Sequence, residues 1–179
     1  MPTDQDALKG RLLWKAVEAF KPVYELMSDD VPVARVSWSK EWGTLAEAQF
    51  GDQRYSFKRN GIWKPYLTVR AERTPYDIGR MEFRWLSRTD LKLQNGTSYS
   101  WALTSTWRQE SAFTAADGTI PVVFRSKLTM KGLQAEVTVE SGFQRHRDAP
   151  LLVLLGWYLI ASCYSSDGTE TAAIVAAIG

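Results

Sequence analysis

Pro150-Leu151-Leu152-Val153-Leu154-Leu155-Gly156-Trp157-Tyr158-Leu159-Ile160-Ala161-Ser162-Cys163-Tyr164 carries no charge and is apolar on every side. A helix that is apolar all round must be enclosed by apolar material, either protein or lipid. Length helps decide between them. The uncharged run from Pro150 to Ser166 would be about 25 Å long as a helix, against roughly 30 Å of bilayer hydrocarbon. Gly156, Ser162 and Ser165 weaken the membrane signal further. Three readings fit the run: a helix buried through a β-barrel, a C-terminal membrane anchor, or a pair of buried strands. The first is preferred because of what precedes it.

Upstream, the hydrophobic period is two. Ala46, Ala48 and Phe50 alternate with Glu47 and Gln49, and Tyr55 and Phe57 with Arg54, Ser56 and Lys58. Met81, Phe83 and Trp85 alternate with Arg80, Glu82 and Arg84. Leu133, Ala135, Val137 and Val139 alternate with Gln134, Glu136, Thr138 and Glu140. Strict alternation marks strands with one face buried and the other wet. Turn signals, among them Asp29-Asp30, Asn60-Gly61, Asn95-Gly96 and Asp117-Gly118, recur about every ten residues, which points to a barrel or sandwich rather than βαβ units. Nine to twelve short strands are expected. Each needs something apolar to pack on, and an all-apolar helix needs a complete sheath. The expected fold is therefore mostly β: a closed antiparallel β-barrel surrounding a central apolar C-terminal helix. The helix falls near 150–165 and the barrel over 23–179, in one domain overall.

The opening stretch reads differently. Leu8, Leu12, Leu13, Ala16, Val17 and Phe20 recur at helical spacing, Thr3 to Asp6 offers N-caps, and Lys21-Pro22 supplies a stop. An N-terminal amphipathic helix over 1–22 is expected.

Composition agrees with a β-protein. Eight Trp, seven Tyr and seven Phe favour strands and fill a large core. The single cysteine, Cys163, excludes an intrachain disulfide. The polar, acidic opening Met-Pro-Thr-Asp-Gln-Asp lacks the pattern of a secretory signal, so a cytoplasmic location, at most peripheral to a membrane, is expected. Asn95-Gly96-Thr97 then reads as a turn rather than a glycosylation site.

Two hairpins resemble each other. Tyr24 to Val36, with Asp29-Asp30 at its turn, echoes Ala112 to Phe124, with Asp117-Gly118 at its turn. This hairpin style, followed by a late uninterrupted apolar helix, resembles the tubby-like superfamily, which includes the LURP-one-related proteins and the phospholipid scramblases. The resemblance runs from residue 24 to about 165. It implies a closed antiparallel barrel around a hydrophobic C-terminal helix, and it implies lipid binding, since tubby domains bind phosphoinositides and scramblases are linked to membranes. The apolar stretch from Thr171 to Ile178, after the helix, departs from that pattern.

Chemical motifs are sparse. A Ser-His-Asp triad would have to use His146, the one histidine, and no Gly-x-Ser-x-Gly elbow presents a nucleophile. His146 reads as a residue of a charged, solvated loop, and Cys163 as an inert packing residue. One His and one Cys do not make a zinc site. Neither a Walker nor a dinucleotide loop is present. No enzymatic activity, cofactor or metal is expected.

Charge is uneven. Residues 58–131 carry 13 basic and 6 acidic side chains, a local +7 in a chain whose net charge is +2. That excess suits an anionic partner. Arg80 and Arg84 share the wet face of one predicted strand, and with Arg88, Lys58 and Arg59 they are the candidate headgroup site, because guanidinium groups donate paired hydrogen bonds to phosphate. The same arginines would also serve simply to cover aromatic neighbours with their long stems. The expected function is a binding module that docks anionic phospholipid through a basic face. The alternative is a structural or protein-interaction domain with no small-molecule ligand. Nucleic acid is disfavoured, since the aromatics alternate toward the core rather than outward.

Overall fold

Alternating patterns of this kind can hide one face only if the sheet curls up on something, and this sheet does. The computed structural model describes residues 7–17, 22–39, 43–83 and 88–164. Twelve strands are present among them: β1 (Leu12–Ala16), β2 (Val23–Ser28), β3 (Val31–Trp38), β4 (Leu45–Phe50), β5 (Gln53–Asn60), β6 (Tyr66–Ala71), β7 (Asp77–Glu82), β8 (Arg88–Leu93), β9 (Ser98–Ser105), β10 (Glu110–Ala115), β11 (Val122–Thr129) and β12 (Gly132–Val139). Each pairs antiparallel with the next, and β12 returns to pair with β1, so the barrel is closed. Closure leaves no sheet edge open to another chain.

One helix, α1 (Ala149–Tyr164), fills the interior. Ala149 to Ala161 are buried without interruption, as an all-apolar helix requires. No helix among the described residues is long and apolar enough to cross a membrane. The inner wall presents Ala46, Ala48 and Phe50 from β4 and Leu133, Ala135, Val137 and Val139 from β12, all buried. Rings lock the helix to the wall. Trp157 stacks on Trp14 of β1 with centroids 5.2 Å apart, and Tyr24 of β2 meets it edge-on at 5.0 Å. Tyr158 stacks on Trp38 of β3 at 5.5 Å. Gly156 makes room for the Phe124 ring of β11, because a Cβ there would run into it.

The N-terminal helix is not found. Residues 12–16 form β1, the strand that closes the barrel by pairing with both β12 and β2. The competing pattern wins for a physical reason. Leu12 and Trp14 are both buried, with Leu13 between them only partly so, which is period two. A strand here satisfies two open sheet edges that a helix would leave bare. The rest of that prediction, at 1–6 and 18–21, lies outside the described residues, as does the apolar stretch 171–179. Asn60-Gly61 opens a connection, 61–65, before Tyr66. One smaller expectation also changes: the strand read through Trp85 ends at Glu82, and Arg84 and Trp85 lie outside the described residues.

Sequential antiparallel order sends successive connections to alternate ends of the barrel. The links β5–β6, β9–β10 and β11–β12 therefore share one end. The C-terminus of α1 joins them, where the Tyr164 hydroxyl donates to Gln109 Oε1 at 3.1 Å. The turns at Asp29-Asp30, Gly51-Asp52, Asn95-Gly96 and Asp117-Gly118 share the other end with the start of α1.

Candidate functional site

Register across β5 to β8 decides which basic side chains can act together. Lys58 pairs across to Thr68, Thr68 to Arg80, and Arg80 to Lys92. Four neighbouring strands thus put three cations in one row on the outer face. Lys58, Arg80 and Lys92 are all exposed. Arg80 is the fixed member. Its guanidinium lies 4.0 Å from the centroid of the Tyr66 ring, and its Nε is 3.4 Å from Glu82 Oε1. Lys58 and Lys92 make no ion pair with any described residue. Beside the row, Asn60 donates to the Lys58 carbonyl at 3.0 Å and to Thr68 Oγ1 at 3.3 Å.

The four described residues of the five predicted from sequence separate in space. Lys58 and Arg80 lie together. Lys92, which sequence reasoning counted in the basic segment but left out of the site, completes their row. Arg88 lies on the same wall but is engaged: it donates to Ser100 Oγ at 2.7 Å, and its Nε is 3.8 Å from Asp90 Oδ1. Arg59 belongs to the opposite face of β5, two residues beyond the buried Phe57, and its charge acts on the buried Tyr158 phenol inside the barrel. Arg84 lies outside the described residues.

A concavity of about 470 Å³ lies elsewhere on the outer face, on β3 to β6, between Arg35, Glu47, Arg54, Arg70 and Glu72. Its cations are matched. Arg35 is 3.8 Å from Glu25, Arg54 is 3.2 Å from Glu72, and Arg70 is 3.0 Å from Asp77. Balanced charge gives an anion little to gain there, whereas the Lys58–Arg80–Lys92 row has one carboxylate against three cations.

Inside the barrel the polar groups serve the helix. The Tyr99 hydroxyl donates to Asp148 Oδ2 at 2.9 Å, and the Asp148 carbonyl accepts from Leu152 N at 3.0 Å, which is the start of α1. His146 stacks on Phe143 at 4.6 Å, and its Nδ1 accepts from the Asp148 backbone N–H at 3.2 Å. Cys163 lines an apolar groove of about 430 Å³ at the far end of the helix, with Trp101, Leu103, Leu159 and Ile160. Burial pushes its thiol up to about 12, so it is not a ready nucleophile at neutral pH. No cluster of three or more His, Cys, Asp or Glu that could hold a metal ion occurs among the described residues.

No protein-family model, curated protein or solved structure matches this chain.

Proposed function

We propose that this chain is a non-catalytic binding module of tubby-like build that docks anionic phospholipid headgroups on its outer face. The observation that carries the reading is the row Lys58–Arg80–Lys92 in register on adjacent strands. The closed barrel fixes the backbone spacing of the three cations, and Arg80 is further held by Tyr66 and Glu82, so the spacing of the site is set before its ligand arrives. Arg80, braced on Tyr66, can fork two N–H donors onto one phosphate. Lys58 and Lys92 flank it as point charges. The row covers three inter-strand steps, about 14 Å, which suits a headgroup bearing more than one phosphate or two adjacent lipids. A closed barrel around a C-terminal apolar helix is the architecture that the resemblance implies, and the lipid expectation comes from that resemblance.

Vesicle flotation tests this directly. The chain is expected to float with phosphatidylcholine vesicles doped with phosphatidylserine or a phosphoinositide, and not with phosphatidylcholine alone. A juxtamembrane cation contributes about 1 kcal/mol, so Lys58→Glu with Lys92→Glu is expected to weaken binding by at least about tenfold at unchanged melting temperature. Undiminished flotation of that variant would remove the site. Equal flotation with neutral vesicles would remove the headgroup preference.

A further inference from the structure

We propose that the end of the barrel carrying the β5–β6, β9–β10 and β11–β12 connections seats itself in the interfacial zone of a lipid bilayer, with Trp63, Trp107 and Met130 as its insertion points. The inference rests on the lipid reading above and adds which part of the molecule enters the membrane.

Exposure is the first observation. Trp63 is 92% exposed, Trp107 95%, and Met130 fully so. With Ile62 they are all the large apolar side chains above 90% exposure among the described residues, and all four sit at one end. A single exposed apolar residue is ordinary. Two bare tryptophans and a methionine at separate tips of the same end are not, because an aromatic side chain normally covers 150–250 Å² of its surface.

Local sequence is the second. Each insertion point is followed at once by a cation: Trp63-Lys64, Trp107-Arg108 and Met130-Lys131. The three tips, 61–65, 106–109 and 130–131, contain no carboxylate. The turns at the opposite end carry Asp29, Asp30, Asp52 and Asp117 instead. A tip with an apolar ring leading and a cation beside it matches the bilayer interface, where indole rings sit at headgroup level and basic side chains meet lipid phosphates.

Spacing selects the partner. The β5–β6 and β9–β10 tips are four inter-strand steps apart, about 19 Å along the rim. No small ligand spans that distance. A protein partner would need a separate hollow for each prong, whereas a bilayer offers one plane to all of them. Lys58 and Arg80 lie two residues from the ends of β5 and β7 at this same rim, about 7 Å below it. Seating the tips therefore lowers the cationic row to the headgroup phosphates.

The test uses the full chain and three proteins: the natural sequence, Trp63→Ser/Trp107→Ser/Met130→Ser, and Lys58→Glu/Lys92→Glu. The probes are phosphatidylcholine–phosphatidylserine vesicles with brominated acyl chains, which quench tryptophans that enter the interface. The natural chain is expected to bind with quenched emission. The triple variant, with an unchanged melting temperature, is expected to bind at least about tenfold more weakly and to lose most of the quenching. Per molecule bound, the quenching is expected to persist in the lysine variant, whose rim is intact, and to be lost in the triple variant. A triple variant that binds as the natural chain does would overturn the rim assignment and leave the headgroup reading standing. A natural chain that binds no vesicle would overturn the headgroup reading and the rim with it. A dimer on a sizing column that the triple variant dissolves, without vesicle binding, would make a second copy the partner of the rim.

Discussion

Tyr99 and Tyr55 show how a barrel this full handles polar atoms. Tyr99 reaches from β9 to the Asp148 carboxylate at the head of the helix, and Tyr55 on β5 donates to Gln53 Oε1 at 2.7 Å. Burial pushes both phenols up. The hydrogen bond to Asp148 raises Tyr99 further, and the charge of Asp148 raises Tyr55 to about 12. A phenol whose folded pKa exceeds its unfolded value of about 10 holds its proton longer in the native state. The resulting stability is fully present below about pH 10 and is lost as pH rises from there toward about 12. Thermal unfolding is therefore expected to be flat through neutral pH and to fall steeply above about pH 10. The double substitution Tyr55→Phe/Tyr99→Phe is expected to flatten that alkaline limb relative to the natural chain. An identical limb would show that these phenols do not control it. The Asp148→Ala change removes the acceptor of the buried Tyr99 hydroxyl and is expected to cost about 1–3 kcal/mol at neutral pH in urea unfolding.

At the scale of elements, β1 teaches the most. Its helical reading used Leu8, Leu12, Leu13, Ala16, Val17 and Phe20 and passed over Trp14, a residue that the fold buries completely. Leu12 and Trp14 already spelled an alternation, but three residues of it cannot outweigh a longer helical stripe. The deciding fact is that β2 and β12 each need a partner, and that is a property of the closed sheet. The central helix was legible because a charge-free run longer than a strand needs an enclosure. Most strands were legible because their wet faces are polar. The cationic row was only half legible. Which residues of β5 to β8 lie abreast depends on register, and β6 shifts register against β7 between Val69 and Arg70. Arg59 could have been excluded by counting one residue on from Lys58, since neighbours in a strand face opposite ways. The exposed rim was not legible at all: knowing that Trp63, Trp107 and Met130 share an end requires the parity of every strand before them. Trp14 offers a test of how β1 closes the barrel. Trp14→Ala is expected to cost about 3–5 kcal/mol in urea unfolding, as lost burial plus the cavity left against Trp157. Its indole N–H meets no protein acceptor, so Trp14→Phe gives up area and stacking but no hydrogen bond, and is expected to cost less than half as much. Equal costs would show that the ring's size is not what closes this seam.

Over the whole molecule, sheath and helix cannot be separated. The inward side chains of the strands pack on α1 and on one another, and α1 from Ala149 to Ala161 has no face left to show water. Secondary structure contributed by separate hairpins would ordinarily allow parts to melt apart. Here the first strand is hydrogen-bonded to the last and the helix follows the last, so the earliest and latest parts of the chain must be in place before the interior is dry. Heat unfolding is accordingly expected as one transition, with the near-ultraviolet dichroism of the stacked Trp14–Trp157 and Trp38–Tyr158 pairs lost at the same temperature as the strand signal. A chain stopped after Asp148 keeps every strand and loses the helix. It is expected to retain β-type dichroism at most, with no near-ultraviolet signal, no cooperative melt and strong binding of hydrophobic dye. If that shortened chain instead melts sharply and stays monomeric, the wall holds itself together without its core. The helix would then be an occupant of the barrel rather than part of its fold, free to leave it.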